Sequence, residues 1–181
     1  EFKNYQEAKD RYGSTTTAYK LVGLVIKDYE NNLRTKIRNP VYEEIKILKG
    51  NHSKKQFLYL VLRQNRQVGK YLQLYPEDKP EFSVFRGHLH HYTDQLYKNY
   101  VNCFIYKKNH VNDYPFEHKI NMTKLHSLYL NTLLADKKSI TRQIVIEFVN
   151  QIPPKQQMFL LNYKYRKIVK DQVKLEHSPL I

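Results

Sequence analysis

Apolar positions recur along this chain in two rhythms. Between residues 19 and 38 the rhythm suits strands. "YKLVGLVIK" is apolar on both faces, "DYENN" supplies turn formers, and "LRTKIR" alternates, so a β-hairpin is expected. A strand apolar on both faces belongs inside a sheet rather than at its edge, and a lone hairpin cannot bury both of its faces. The first 40 residues therefore read as the end of a larger sheet. Upstream, Phe2, Tyr5 and Ala8 mark a short helix that leads into a Gly-Ser-Thr loop.

From Asn39 onward the rhythm is helical. Asn39 suits a helix N-cap, with Pro40 at the first helical position, Glu43 and Glu44 in the first turn, and Gly50 as the stop. "KKQFLYLVLRQ" and "VGKYLQLY" are short helices, and Pro76 and Pro80 punctuate the next stretch. A long helix is expected from about Pro80 to about Lys107, because Phe82, Phe85, Leu89, Tyr92, Leu96, Tyr100 and Cys103 recur at spacings of three and four. Beyond the Pro115 loop, Met122, Leu125, Tyr129 and Leu133 outline another. Thr141 can cap a helix carrying Ile144, Val145, Phe148 and Ile152, and "KQQMFLLNYKYR" forms the last, after Pro153 and Pro154. The fold class expected is mostly α, a short N-terminal hairpin followed by about five or six helices. The segments are 1–50, a helical domain over 51–166, and a basic, weakly patterned tail over 167–181.

Composition sharpens the choice of partner. The 181 residues suffice for one domain or for a small piece joined to a larger one, and a start at Glu1 rather than methionine reads as a piece. There are 31 Lys and Arg against 17 Asp and Glu, a formal charge of +14. That excess favours a polyanion, nucleic acid before an anionic membrane surface; a merely solvated surface is the alternative. Sixteen tyrosines and eight phenylalanines suit base stacking and suit a helical core equally. The single Cys103 excludes an internal disulfide and a cysteine-rich zinc site, and fits a reducing, cytoplasmic setting. No apolar run approaches the roughly 20 residues that span a bilayer, so no membrane partner is expected.

The return strand carries the most informative chemistry. Side chains two apart on a strand share a face, so Arg34, Lys36 and Arg38 project to one side and Leu33, Thr35 and Ile37 to the other. Three cations on one rigid strand suit a phosphate chain; a solvated strand face is the other reading. The stretch "VGLVIKD … TKIRNPVY" also resembles the end of the nucleotidyltransferase domain of ATP-dependent RNA ligases, in the superfamily of DNA ligases and mRNA capping enzymes. Gly23, Val25 and Lys27 match its Glu-Gly-x-Val strand and trailing lysine. Lys36 matches the first lysine of Lys-x-Lys, Arg38 stands for the second, and Tyr42 falls on a tyrosine frequent in phage-type ligases. The resemblance covers about residues 15–50. The phrases "KPEFSVFRGHLHHYTDQLYKNY" and "IVIEFVNQIPPKQQMFLLNYKYR" are similar to the helical C-terminal part of such proteins from large DNA viruses of amoebae.

That resemblance implies the C-terminal part of an RNA-ligase-like enzyme whose sheet ends in this hairpin. ATP and Mg would be its cofactors and RNA its substrate. Lys36 and Arg38 would bind the reacting phosphates as catalytic groups, with Lys27 and Arg34 helping to bind the nucleotide, while the helices hold RNA. Two departures count against catalysis. Val22 replaces the family's glutamate, and none of the five glycines follows the Lys-x-Asp of the nucleophile motif. A non-catalytic nucleic-acid-binding helical module and a helical protein-interaction domain are the alternatives.

Elsewhere, Lys107 and Lys108 sit in a basic loop with His110, and Tyr163, Lys164, Tyr165, Arg166 and Lys167 interleave rings with cations, a pattern suited to single strands. A basic helix end is the equal alternative, since lysines there favour the helix dipole. His88 and His91 share a helix face, but no cysteine or acidic pair accompanies them, so ordinary histidines are favoured over a metal site. Cys103 lies on an apolar stripe, which points to the core.

Overall fold

In a computed structural model that describes residues 2–176, with side chains through Lys170, the chain divides into two compact units, Glu1–Ser53 and Lys54–Ile181. The first unit opens with α1 (Tyr5–Tyr12), capped by Asn4, whose side chain accepts from the Glu7 N–H. Strands β1 (Gly23–Asp28) and β2 (Leu33–Arg38) come next, and α2 (Pro40–Lys49) closes the unit. Among the described residues the sheet is two-stranded and antiparallel. Its register sets Gly23 opposite Arg38, Val25 opposite Lys36 and Lys27 opposite Arg34. The turn is held by Asp28, whose carboxylate accepts from the Asn31 side chain and from the Asn31 and Glu30 amides. Those bonds hold its carboxyl below the usual carboxylate range, the Asn31 side chain contributing most.

Two local devices shape the hairpin. At Gly23 φ is +138°, and a Cβ there would meet the Ile37 carbonyl oxygen at 2.2 Å, so only glycine fits. Asn39 is wholly buried. Its amide donates to the Ala18 and Leu21 carbonyls at 2.9 and 2.7 Å, while its side-chain oxygen accepts from the Val41 N–H at 3.0 Å. One side chain thus ties the approach to β1 to the start of α2. The cap, the proline at the start of α2 and the Gly50 stop are all present.

The second unit is helical throughout. Helices α3 (Lys55–Gln64), α4 (Val68–Leu74), α5 (Lys79–Tyr100), α6 (Phe116–Leu128), α7 (Arg142–Gln151), α8 (Pro154–Leu161) and α9 (Tyr163–Glu176) succeed one another. Helix α5 packs against α3, α6, α7 and α8, and α3 also packs on α8. Leu96, Met122, Leu125 and Val145 are wholly buried between them. At the other end Tyr59, Tyr71, Phe82 and Phe85 form a ring cluster, with Tyr71 stacked on Phe82 at 5.3 Å. Beside it Asp78 accepts from Tyr71 Oη at 2.6 Å and from Lys55 Nζ at 2.8 Å. Burial first, and that bond second, push the Tyr71 hydroxyl far above its ordinary value.

The mostly helical class with an N-terminal hairpin is thus observed. Among the described residues eight helices come after the strands, more than the five or six the pattern suggests, partly because one expected element divides. The run after Pro154 breaks at Asn162, whose side chain turns back to donate to the Met158 carbonyl and to Gln56 Oε1. Helix α9 then continues to Glu176, through residues whose composition reads as a tail. Helices α5 and α6 each end in a π turn, Val101–Ile105 and Tyr129–Leu133. The wider turn shifts the periodicity, so Tyr129 and Leu133 are not on the buried stripe with Met122 and Leu125.

Candidate nucleic-acid interface

In the first unit, the register places Lys27, Arg34, Lys36 and Arg38 on one face of the hairpin, joined by Gly23 and Val25. The opposite face carries Ile37, buried where Gly13 at the end of α1 approaches it. All four cations are exposed, and among the described residues none is ion-paired. Side chains that repel one another on one rigid surface, with no carboxylate holding them, present a positive field to solvent. Beside them a hollow of about 330 Å³ is lined by Lys36, Arg38, Lys46, Glu43, Val22 and Gly23. Lys46, from the helix that Asn39 starts, adds a cation that the strand pattern could not supply. Val22 is exposed in this rim, and its side chain offers no oxygen to a metal.

The second unit brings other candidates together. A cleft of about 560 Å³ lies among α5, α6, α8 and α9, and His88, His91, Gln95, Glu117, Lys164 and Tyr165 are among the residues that line it. Its wall is an ordered polar network. Tyr92 Oη donates to the Glu117 carbonyl at 2.9 Å and accepts from Asn121 Nδ2 at 2.8 Å. Burial pushes the Tyr92 hydroxyl up to about 12. Asn99 Nδ2 lies 2.8 Å from His118 Nδ1. Burial lowers the basicity of His118, with Glu117 opposing that shift. Since an amide nitrogen only donates, the neutral ring holds its proton on Nε2.

Glu117 itself is buried, in the first turn of α6. Its ion partner is Lys164 Nζ at 3.7 Å, a lysine whose side chain is 77% exposed. No hydrogen bond to its carboxylate is found among the described residues.

The remaining basic residues are dispersed. Tyr163 stacks on Phe116 at 4.8 Å and meets the edge of Phe159 at 5.7 Å, so its ring is committed to packing. Tyr165, 71% exposed, leaves a free ring. Arg166 lies over Phe159 at 5.6 Å, and Lys167 is exposed. Lys107 and Lys108 are in the turn after the first π turn, Lys107 with φ +51° and Lys108 over the Tyr106 ring at 5.4 Å. They do not line the cleft that takes Lys164 and Tyr165.

A third hollow, of about 340 Å³, is lined by Arg63, Lys79, Arg86 and His90 over Tyr59 and Phe82. These side chains lie far apart in sequence without a run, which is why composition alone does not reveal them. Glu117, Gln95 and Asn99 are missed for the same reason. Cys103 is half-buried, and burial pushes its thiol up, which suits packing rather than nucleophilic attack. Among the described residues no group of three or more His, Cys, Asp or Glu is placed to hold a metal ion. No described helix is long and apolar enough to cross a membrane. Comparisons with family models, curated proteins and solved structures found no match.

Proposed function

We propose that this chain binds nucleic acid through its phosphates, with the hairpin as the principal contact surface. One observation carries the reading: Lys27, Arg34, Lys36 and Arg38 share an exposed strand face and have no ion-pair partner among the described residues. Cations that share one face with no carboxylate among them repel one another and raise the local positive potential. Unpaired ones on a rigid surface suit an external polyanion, and cations condensed on that polyanion are released when these side chains neutralise its phosphates. The +14 charge of the chain favours the same partner.

Single-stranded RNA is the class favoured by the resemblance of residues 15–50 to RNA ligases and by the free ring of Tyr165. In that setting the chain would be the substrate-holding part of an RNA-ligase-like nucleotidyltransferase. Lys36 and Arg38 would lie along the phosphates of ATP or of the strand, with Lys27 and Arg34 beside them. The hairpin fits a polyphosphate. It does not fit a resident Mg ion, because Val22 stands where the family has glutamate and Glu43 is the one carboxylate lining the hollow. The chain contains no Lys-x-Asp-Gly, so the adenylation step is not assigned to its residues.

The test is binding of the chain to labelled single-stranded RNA, duplex RNA and single-stranded DNA across a salt series. Replacing Lys36 and Arg38 together by alanine is expected to weaken single-strand binding about 10- to 30-fold near 0.1 M salt. The slope of log K against log salt should fall by about 1.4, from roughly 0.7 per phosphate contact. Binding that ignores salt, or a double variant with the parent's slope, would overturn the hairpin as the contact surface and favour a protein-interaction role.

A further inference from the structure

We propose that the cleft among α5, α6, α8 and α9 is a guanine-binding site, with the Glu117 carboxylate as the group that reads the base. The proposal deepens the nucleic-acid reading and rests on it for the class of ligand.

The starting point is a buried carboxylate that opens onto a cavity. The Glu117 side chain is 7% exposed, and its oxygens are not among the buried polar atoms that lack a partner, so water in the cleft reaches them. Glu117 has the positive end of α6 near it and one exposed lysine at 3.7 Å, which is longer than a hydrogen bond. It nonetheless lines an open cleft of about 560 Å³, large enough for a nucleoside. Gln95 lines the same cleft, and its amide makes no side-chain hydrogen bond among the described residues. Two polar groups therefore line one cavity, and among the described residues neither makes a side-chain hydrogen bond to the protein. The surrounding bonds from Asn121 to Tyr92 and from Tyr92 to the Glu117 carbonyl hold the wall in one arrangement.

An occupant that displaces water from Glu117 must bring donors of its own. A divalent ion is disfavoured, since no metal-holding group of side chains is found among the described residues. A cationic ligand is disfavoured by Lys164 in the same cleft and by the charge of the whole chain. A neutral group with two adjacent N–H donors meets both requirements. Among the common bases guanine alone presents such a pair on its Watson–Crick edge, N1–H beside the N2 amine. Adenine and cytosine each offer one amine beside an acceptor, and uracil offers one N–H between two acceptors. Both carboxylate oxygens of Glu117 can accept from guanine, while the Gln95 amide can donate to O6 and the Tyr165 ring can cover the base. Lys164 would then exchange its long contact with Glu117 for the nucleotide phosphate.

The test uses the full chain and equilibrium binding of GMP, IMP, AMP, CMP and UMP. GMP is expected to bind about 10-fold or more tightly than AMP, and IMP, which lacks the N2 amine, to fall well below GMP. Glu117→Gln, with folding checked by circular dichroism, should abolish the preference for GMP over AMP. Tyr165→Ala, at an exposed position, should weaken every nucleotide about 5-fold or more and leave the order unchanged. Equal binding of GMP and IMP by the parent chain overturns the proposal even if Glu117→Gln fails to fold, and a folded Glu117→Gln that keeps the preference does so as well.

Oligonucleotides separate the ligand's source and the two readings. Tighter binding of a uridine strand containing one guanosine than of oligouridine places the recognised base in a strand. GMP preference without that difference makes free guanine nucleotide the ligand. Steeply salt-dependent oligouridine binding with no GMP preference removes the guanine site and leaves the hairpin reading intact.

Discussion

The hairpin unit and the helical unit treat polar and apolar groups in opposite ways. Around the hairpin, Val22, Val25 and Leu33 lie half or more exposed beside unpaired cations. The unit is held by a few ties: Gly23 against the Ile37 carbonyl, Asn39 between two carbonyls and an amide, and α1 over Ile37. In the helical unit the apolar side chains are inside, and several polar ones are inside with them, bonded to one another. Charge is displayed in one and geometry is stored in the other. A display of that kind binds by long-range attraction with little selectivity, whereas a walled cleft can distinguish one ligand from another.

The largest expected effect tests whether the two units are energetically separate. Leu125→Ala removes a wholly buried side chain and should cost the helical unit about 3 kcal/mol, measured by urea unfolding. Hydrogen exchange in the hairpin amides should not change. If those amides lose protection in parallel, the units unfold as one and the energetic contrast between them fails.

The converse experiment is Gly23→Ala. Its Cβ would strike a backbone oxygen that has no room to retreat, at a φ that L residues rarely adopt, so a cost of about 2 kcal/mol or more is expected. It should appear as faster exchange along β1 and β2 while α5 and α6 stay protected.

The smallest effect concerns His118. Burial holds its folded-state basicity below the ordinary imidazole value of 6.5, so an unfolded chain binds a proton that the folded chain resists. The stability it contributes is complete above about pH 6.5 and is lost as pH falls toward the folded-state value. The urea midpoint of the helical unit should therefore decline as pH falls below about 6.5. His118→Gln should flatten that decline, and an unchanged slope would assign it to other groups.

Much of the fold is legible from local residues alone. Alternation in "LRTKIR" yields the strand and the common face of its cations, because side-chain direction on a strand is set by the backbone. Asn39, Pro40 and Gly50 mark the bounds of α2, because caps satisfy backbone groups within a few residues. The π turns at Val101–Ile105 and Tyr129–Leu133 are not legible this way. Nor is the break at Asn162, which depends partly on Gln56, more than a hundred residues earlier.

The same boundary runs through the candidate sites. Lys27, Arg34, Lys36 and Arg38 are neighbours in sequence or across one turn, so pattern alone places them together. Helix spacing likewise pairs His88 with His91. Glu117, Gln95 and Tyr165 meet only because three helices converge, and whether Glu117 keeps its hydrogen-bond partners is an outcome of that packing. Local backbone geometry is short-ranged and written residue by residue, so the sequence by itself determines the elements and the cationic face. Burial and convergence depend on contacts between distant segments, so the cleft and its buried carboxylate exist only once the helices have packed.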